Sequence, residues 1–206
     1  PAGDSSQSPD IINNSWSCAP SEGCSQATLE SAVQTVIDAG IMLVASNGNQ
    51  GPSCATTLDP PGLYRQSYSV GAADSGENLA SFSSRGPVQY DGETYIKPDI
   101  TAPGVNIRSS AKNGGYVAMS GTSMAAPHIS GVIALLWSGH PGLRGKMDLT
   151  RQIFNSTAQS LDYTGCGDPP GVPNNGYGWG RVDVLAAYKK AETPSATPGI
   201  PLLLLE

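Results

Sequence analysis

The sequence is poor in the features that mark nucleic-acid-binding, membrane or metal-dependent proteins. Its 206 residues carry a net charge of −6 and contain no run of basic residues, which argues against nucleic acid as a partner. The leucine run 202–205 is far too short to span a membrane. Two histidines are few for a metalloenzyme. Charged residues make up only 14% while glycine (25) and proline (17) are abundant, so we expect one loop-rich α/β domain with a sizeable core.

The four cysteines lack the Cys-x-x-Cys spacing of zinc and redox sites. An even set without that spacing favours structural disulfides, so we expect a secreted or otherwise extracytoplasmic protein. Cys18 and Cys24 flank a short loop and could pair locally, which would leave Cys54 for Cys166. Three pairings are possible, and the sequence does not choose among them. The chain begins at Pro1 without a signal peptide, so we expect that an earlier segment has been removed.

The first half of the chain has the pattern of a parallel sheet. A short strand at 10–16 is followed by apolar residues at helical spacing over 25–39, and Gly40 is predicted to end that helix. The continuous apolar run 41–45 is expected of a strand buried on both faces. This order predicts a right-handed βαβ unit, and a further strand is predicted at 68–72. We therefore expect an α/β fold with a mainly parallel, doubly wound sheet and helices on both faces.

A hydroxyl nucleophile is predicted where a tight turn meets the apolar helix 129–137. The stretch 120–128 reads Ser-Gly-Thr-Ser-Met-Ala-Ala-Pro-His, and Ser123 is the candidate nucleophile. Thr122 or Ser123 can begin the helix as its N-cap. A serine at this position can present its Oγ to a carbonyl while its own N–H faces the oxyanion that forms. A serine that only caps a core helix is the alternative interpretation.

The eight residues from Gly121 to His128 closely resemble the nucleophile signature of the subtilisin-like serine peptidases, the subtilases. Three further segments resemble other parts of the same family, namely 80–87, 97–104 and 176–183. The resemblance implies a subtilisin-like fold and a serine endopeptidase that hydrolyses peptide bonds through an acyl-enzyme at Ser123. An α/β-hydrolase esterase is disfavoured, because Ser123 lacks the Gly-x-Ser-x-Gly elbow between strand and helix.

The polar loop 46–51 follows a predicted strand at its carboxyl end, where open α/β sheets place their ligands. It resembles the oxyanion block of the subtilases, so Asn49 corresponds to the asparagine whose side-chain amide donates to the oxyanion. An asparagine in a turn is the alternative. The resemblance also places the two walls of the substrate site on segments that leave neighbouring strands, with backbone groups free to pair an extended peptide: Ser15, Trp16 and Ser17, and Ser46, Asn47 and Gly48.

The two walls also predict which side chain of the substrate fits next to the cleaved bond. Gly48 would leave the S1 slot open, and neither wall contains an acidic residue. We therefore expect an apolar or broad P1 preference rather than one for lysine or arginine. Trp16 either narrows this slot or is buried in the core.

A cation site is the one ion-binding feature that the resemblance implies. Some subtilases bind a cation through carbonyls of the segment corresponding to 62–67, together with an aspartate that matches Asp99. Calcium accepts such oxygens, but a site with one carboxylate would be weak and would hold calcium, sodium or nothing. The predicted reaction requires no cofactor.

The base that must activate the serine has no candidate in the sequence. In subtilases an Asp-Ser/Thr-Gly block and a His-Gly-Thr block come earlier in the chain, and neither occurs before Ser15. His128 lies five residues from Ser123, a rotation of about 140° along a helix, and is predicted to pack within the motif. His140 is predicted to lie in a surface turn. The Asp-Ser-Gly at 74–76 follows the oxyanion block and is predicted to be an ordinary turn.

We therefore expect residues 1–191 to be the C-terminal portion of a subtilisin-like catalytic domain whose N-terminal portion is missing. Residues 192–206 have the composition of a Pro- and Thr-rich linker and tail. The expected partners are a peptide or protein substrate and the missing N-terminal segment with its Asp and His, and the isolated chain is expected to be inactive. A non-catalytic subtilase-like domain that binds peptides or serves as a scaffold is the alternative.

Overall fold

The computed structural model describes residues 7–112 and 114–192. Eight strands and four α-helices are found in these two ranges. They follow the chain in this order: β1 (Ile11–Asn14), α1 (Glu30–Asp38), β2 (Met42–Ser46), β3 (Tyr68–Ala73), β4 (Val88–Tyr90), β5 (Glu93–Tyr95), β6 (Ile100–Pro103), β7 (Ile107–Ser110), β8 (Tyr116–Met119), α2 (Thr122–Gly139), α3 (Met147–Thr157) and α4 (Val184–Glu192).

The main sheet has four strands in the order β1-β2-β3-β6, and all its neighbours are parallel. The β1–β2 ladder runs from the pair Ile11–Met42 to the pair Asn14–Ala45. Two antiparallel hairpins, β4–β5 and β7–β8, lie outside this sheet. Helix α2 contacts all four strands of the main sheet, so the helix that carries the candidate nucleophile lies across its face.

Strand β2 shows why helices cover both faces of the sheet. Side chains alternate along a strand, so neighbours point to opposite faces. Met42 and Val44 belong to the larger core, which contains the buried residues of α2, while Leu43 belongs to a smaller core with Val33 of α1. A strand with an apolar side chain at each position can be buried in this way on both sides. The predicted α/β fold with helices on both faces is confirmed.

Helix α1 is shorter at its start than the apolar spacing predicted. It begins at Glu30 rather than at residue 25. Thr28 Oγ1 accepts a hydrogen bond of 2.8 Å from the Ser25 N–H, and the Leu29 N–H donates to the Tyr64 hydroxyl at 3.2 Å. These side-chain partners give the backbone an alternative to helical bonds over these residues. Gly40, with a φ of +76°, follows the end of the helix as predicted.

Two disulfides join the four cysteines. Cys18 bonds to Cys24 and Cys54 bonds to Cys166, so the pairing with one local bridge is the one present among the three that the sequence allowed. The second bridge ties the loop after β2 to the loop between α3 and α4.

The ends of the chain bear on two predictions. Within the described ranges, no helix combines the length and the apolar character needed to cross a bilayer. Glu192 is the last residue of α4. The predicted linker and tail otherwise fall on residues 193–206, which lie outside the described residues, as does Pro1.

Candidate active site

Ser123 is the second residue of helix α2. The helix begins at Thr122, and Gly121 rather than Thr122 or Ser123 occupies the N-cap position, so the predicted N-cap was wrong. Gly121 has an extended backbone with a φ of 157° and no side chain to offer as a cap. The N–H groups of a first helical turn have no intrahelical acceptor, and the N–H of Ser123 is one of them. It can therefore donate to a group bound in front of the helix.

The carbonyl of Ser123 is released by a proline in the same helix. In a regular helix this carbonyl would accept from the N–H four residues later, but that residue is Pro127, which has no N–H. The hydroxyl of Ser15 donates to the Ser123 carbonyl instead, at 2.9 Å. In return, Ser123 Oγ donates to the carbonyl of Ser15 at 3.0 Å. Two residues 108 positions apart are thus joined by two hydrogen bonds at the carboxyl end of β1.

Asn13 extends this pair into a chain of polar contacts. Its Nδ2 donates to Ser15 Oγ at 2.8 Å, and its Oδ1 accepts from Ser130 Oγ at 3.1 Å. Ser15 Oγ therefore accepts one hydrogen bond from Asn13 while it donates the other to Ser123. Asn13 was not predicted as a site residue; the available signal was its position on β1, two residues before Ser15 of the wall that follows this strand.

Asn49 lies directly in front of helix α2. Its Oδ1 accepts from the N–H of Thr122 at 2.9 Å and from the Thr122 hydroxyl at 3.0 Å. The amide oxygen thus caps the helix from a distant loop, and this fixes the amide orientation because Nδ2 must point the other way. Asn49 is exposed, and no acceptor among the described residues is bonded to its Nδ2. This free N–H₂ is available to a bound group beside Ser123.

Thr122 connects the Asn49 loop to the helix a second time. Its hydroxyl donates to Asn49 Oδ1 and accepts from the N–H of Gly48 at 3.3 Å. The sequence predicts for Thr122 only a capping role. In the structure, Thr122 makes three hydrogen bonds to the loop after β2, one through its N–H and two through its hydroxyl.

Buried polar groups form hydrogen bonds that fix the loop after β2. Asn47 is only 3% exposed, its Nδ2 donates to the Ser84 carbonyl at 2.6 Å, and its Oδ1 accepts from Ser69 Oγ at 2.7 Å. Ser84 also returns two bonds to the loop, since its N–H donates to the Gly48 carbonyl and its Oγ accepts from the Gln50 N–H. The Asn47 side chain therefore faces the interior, and only its backbone is left to contact a ligand.

The two predicted walls lie where β1 and β2 stop pairing. Asn14–Ala45 is the last pair of their ladder, so the segments 15–17 and 46–48 follow directly at neighbouring carboxyl ends. Gly48 has a φ of +104°, and a Cβ there would lie 2.7 Å from Ser84 Oγ, so both conformation and space require glycine.

Trp16 is 54% exposed, so its burial in the core is excluded. It lines an open apolar groove of about 210 Å³ together with residues of β1 and α1 and the segment before β3, among them Ile12, Leu29, Val33 and Pro61. The indole thus follows Ser15 in the chain and has an apolar surface beside it.

Neither histidine is bonded to the candidate nucleophile. His128 Nδ1 is paired with the Met124 carbonyl at 2.8 Å, one helical turn back. His140 follows the end of α2, and its ring packs against that of Tyr188 in α4, with 4.6 Å between the ring centroids and the planes tilted by 53°. His140 is therefore half-buried rather than in a free surface turn.

The Asp-Ser-Gly at 74–76 is the turn that was predicted. Asp74 Oδ1 accepts from the N–H groups of Gly76 and Asn78 at 2.8 and 2.9 Å. The hydrogen bonds from Asn78, with the backbone one strongest, lower the pKa of Asp74. This carboxylate is fully engaged in its own turn.

Asp99, the predicted cation ligand, faces a side-chain cation. Lys97 Nζ donates to Asp99 Oδ2 at 2.6 Å and to the carbonyl of Ser67 at 2.9 Å. The parts of the chain that the structure describes hold no cluster of three or more His, Cys, Asp or Glu side chains suited to a metal ion. Lys97 was not predicted to belong to this site, although it lies two residues before Asp99.

Comparisons with known proteins agree on one family. The model of the subtilase family matches residues 2–180. Bacillopeptidase F of Bacillus subtilis (strain 168) is 39% identical over 183 residues, which are 87% of this chain and 12% of that protein. Subtilisin BL of Lederbergia lenta is 36% identical over 163 residues, which are 79% of this chain and 52% of that protein. The chain thus spans about half the length of the second relative and far less of the first.

Among solved structures, the prenylagaramide maturation protease PagA superposes with a TM-score of 0.70 and 28% sequence identity. The superposition covers 89% of this chain and 62% of that one.

Proposed function

The chain belongs to the subtilase family, and on that premise we propose that it carries the nucleophile and oxyanion side of a serine endopeptidase active site. The observation that carries the proposal is the position of Asn49. Its amide oxygen accepts two hydrogen bonds from Thr122 at the start of α2. Its N–H₂ group is therefore free and lies next to Ser123, the residue after Thr122. An amide fixed in this way is preorganised to donate to an oxyanion.

In the proposed reaction, Ser123 Oγ attacks the carbonyl carbon of the peptide bond. Its proton passes to a base, the carbonyl oxygen becomes an oxyanion, and Asn49 Nδ2 and the Ser123 N–H donate to it. Collapse of the tetrahedral intermediate expels the amine, which takes the proton from the base, and leaves an acyl-enzyme that water then hydrolyses. Ser123 Oγ must leave the Ser15 carbonyl to bond to that base, so the contact of 3.0 Å is a resting arrangement.

The base and its carboxylate are proposed to come from a segment that precedes this chain and pairs with β1. Strand β1 is at one end of the sheet order, so one of its edges has no strand partner within the described ranges. An unpaired edge of a parallel sheet is normally covered. A parallel strand added there would end beside Ser15 and Ser123, because carboxyl ends of parallel strands share one edge of the sheet.

The substrate is proposed to be a peptide or protein bound in extended form between the segments 15–17 and 46–48, with an apolar or broad P1 preference. Support comes from the end of the β1–β2 ladder at Asn14–Ala45, because beyond it the two segments no longer pair with each other and an extended peptide can lie between them. The two disulfides support a location outside the cytoplasm.

A fluorophosphonate probe tests the proposal, because it reacts only with a serine that has an activating base. We expect the protein expressed from the full open reading frame to be labelled at Ser123 and to cleave peptides, and Ser123→Ala to abolish both. The chain of residues 1–206 alone should not be labelled at an enhanced rate.

Two outcomes would contradict the proposal in different ways. Peptide binding by the full-length protein without any labelling would favour the alternative, a non-catalytic binding or scaffold domain. Labelling of residues 1–206 at the rate of an intact serine protease would mean that a group within this chain activates Ser123.

A further inference from the structure

The ammonium of Lys97 is almost completely buried, at 1% exposure, and is bound only by oxygen atoms among the described residues. It donates to Asp99 Oδ2 at 2.6 Å and to the Ser67 carbonyl at 2.9 Å. Asp99 Oδ2 also accepts from the Ser69 N–H at 2.6 Å. A carboxylate and a carbonyl around one positive charge are the ligand types that sodium and calcium take in proteins.

Three of the other carbonyls of this segment already accept hydrogen bonds from protein donors. The Tyr95 hydroxyl donates to the Leu63 carbonyl at 2.8 Å. The guanidinium of Arg151 donates to the carbonyls of Arg65 and Gln66. Calcium needs six to eight oxygen ligands, roughly, and these oxygens are directed at other groups. The residues present therefore do not fit the cation site that the family resemblance implied at 62–67 and Asp99.

A metal ion placed at Asp99 would also meet the Lys97 charge. Two cations that share one carboxylate oxygen repel strongly in a site with little water. Burial lowers the pKa of Lys97, and the adjacent Asp99 carboxylate opposes that shift. The short contact with Asp99 supplies the compensation that a buried ammonium requires.

We propose that the Lys97 side chain serves as a built-in cation at this position, so that the segment 62–67 is ordered by an ammonium and needs no metal ion. The segment matters to the candidate site, because Gly62 packs so closely on the Ser46 carbonyl that a Cβ would overlap it. Lys97 therefore links the start of β6 to the backbone that supports one wall.

The test compares thermal unfolding of wild type, Lys97→Ala and Lys97→Met in chelator and in millimolar sodium, potassium or calcium. Lys112→Met, which removes an exposed charge, is the matched control for general salt effects. We expect Lys97→Met to lower Tm by roughly 6–20 °C in chelator, the cost of breaking a buried pair in a domain of this size. Lys97→Ala, which leaves room for an ion, should regain part of its loss with one of the three cations, relative to the control.

Calorimetric titration of calcium into wild type and Asp99→Asn keeps the proposal falsifiable even if the alanine variant does not fold. We expect the two proteins to give the same titration, with no component that depends on Asp99. Calcium binding, or a calcium-dependent rise in Tm, that wild type shows and Asp99→Asn loses would overturn the proposal. A folded Lys97→Ala that responds to none of the three cations would also overturn it.

Discussion

Ser15 and Ser123 each donate a side-chain hydrogen bond to the backbone carbonyl of the other, at 2.9 and 3.0 Å. The pair is possible because Pro127 removes the helical donor that the Ser123 carbonyl would otherwise have. It fixes the first turn of α2 against the end of β1. The hydroxyl of Ser15 is therefore a positioning group for the proposed nucleophile, separate from the part that its backbone takes in the wall.

Ser15→Ala in the full-length enzyme should slow acylation without weakening substrate binding. The substitution leaves the Ser123 carbonyl without its donor, at a cost of about 1 kcal/mol. If this cost raises the activation free energy of acylation in full, kcat and the labelling rate should fall roughly three- to tenfold. KM should stay near the wild-type value. Ser15→Thr keeps a hydroxyl and is the control. Equal losses in the two variants would show that packing, not the hydrogen bond, is what matters.

Asn49→Leu should lower kcat by about 10²–10³ and leave KM nearly unchanged, because an oxyanion donor acts mainly in the transition state. That magnitude is carried over from the corresponding donor of subtilisin and is not calculated from this structure. The substitution also removes the cap on the Thr122 N–H, so it should lower the free energy of unfolding by about 1 kcal/mol. Steady-state kinetics and chemical denaturation separate the two effects.

Asn47→Ala is the matched control for Asn49. If the Asn47 side chain lined the wall, as its predicted position implies, its removal would act on KM and P1 preference. Its side chain, however, bonds to Ser84 and Ser69 inside the molecule, so we expect a loss of stability of about 1–3 kcal/mol from the unpaired Ser84 carbonyl. Kinetic loss in Asn47→Ala together with full kcat in Asn49→Leu would place the oxyanion donor two residues earlier than we propose.

The two disulfides should contribute unequally to stability. Cys54–Cys166 closes a sequence separation of 112 and Cys18–Cys24 one of 6. In the chain-entropy description the longer loop is worth about 2–3 kcal/mol more. Cys54→Ala/Cys166→Ala should therefore lower the denaturation midpoint further than Cys18→Ala/Cys24→Ala does. The unreduced wild type should also show no titratable thiol when denatured. Two titratable thiols would mean that one of the two bridges is missing, and four would contradict both.

Stability should fall at alkaline pH through tyrosines that are buried or half-buried in the folded state. Burial is the largest cause that raises the pKa of five tyrosines above the usual value of 10.0, to about 12 for Tyr95: Tyr64, Tyr68, Tyr90, Tyr95 and Tyr177. Their contribution is complete below pH 10 and is lost as the pH rises through the folded values. The lowered pKa of Lys97 has the opposite effect, because it makes the free energy of unfolding rise with pH. Lys97 is one group and the tyrosines are five, so we expect the tyrosines to dominate.

Absorbance of the phenolate, followed with circular dichroism, checks this expectation. A late rise in absorbance should coincide with the loss of helix signal, and Tyr68→Phe should reduce its amplitude. Titration of all eight tyrosines before any unfolding would contradict the prediction.

Patterns of local origin predicted most of the fold. The burial of β2 on both faces, the stop at Gly40 and the turn at Asp74 each depend on a few neighbouring residues, and the structure confirms them. The start of α1 was wrong because a distant hydroxyl, that of Tyr64, takes the Leu29 N–H. The spacing of apolar residues within a short stretch of sequence contains no information on a hydrogen-bond partner 35 positions away.

The candidate site was less accessible to prediction, because its supports lie far apart in the sequence. Asn47 and Ser84 are 37 positions apart, and Asn49 and Thr122 are 73 apart. Residue types in one loop indicate that an asparagine can donate, but not which of its two amide atoms is already engaged. The Lys97–Asp99 ion pair could have been predicted, since the two residues lie two positions apart just before β6. Predicting it would have required the further assumption that Lys97 is buried, because only a buried ammonium needs oxygen partners from the protein.

A charged side chain, unlike a bound metal ion, cannot be released from the protein on dilution. A metal bound to the folded state adds stability as RT ln(1 + [L]/Kd), so that stability follows the ion concentration outside and disappears on dilution. The ammonium of Lys97 is present at one per molecule at any dilution, held within 2.6 Å of Asp99 by the chain itself. On this account the segment beneath the substrate wall has the same order in a calcium-poor medium as in a calcium-rich one.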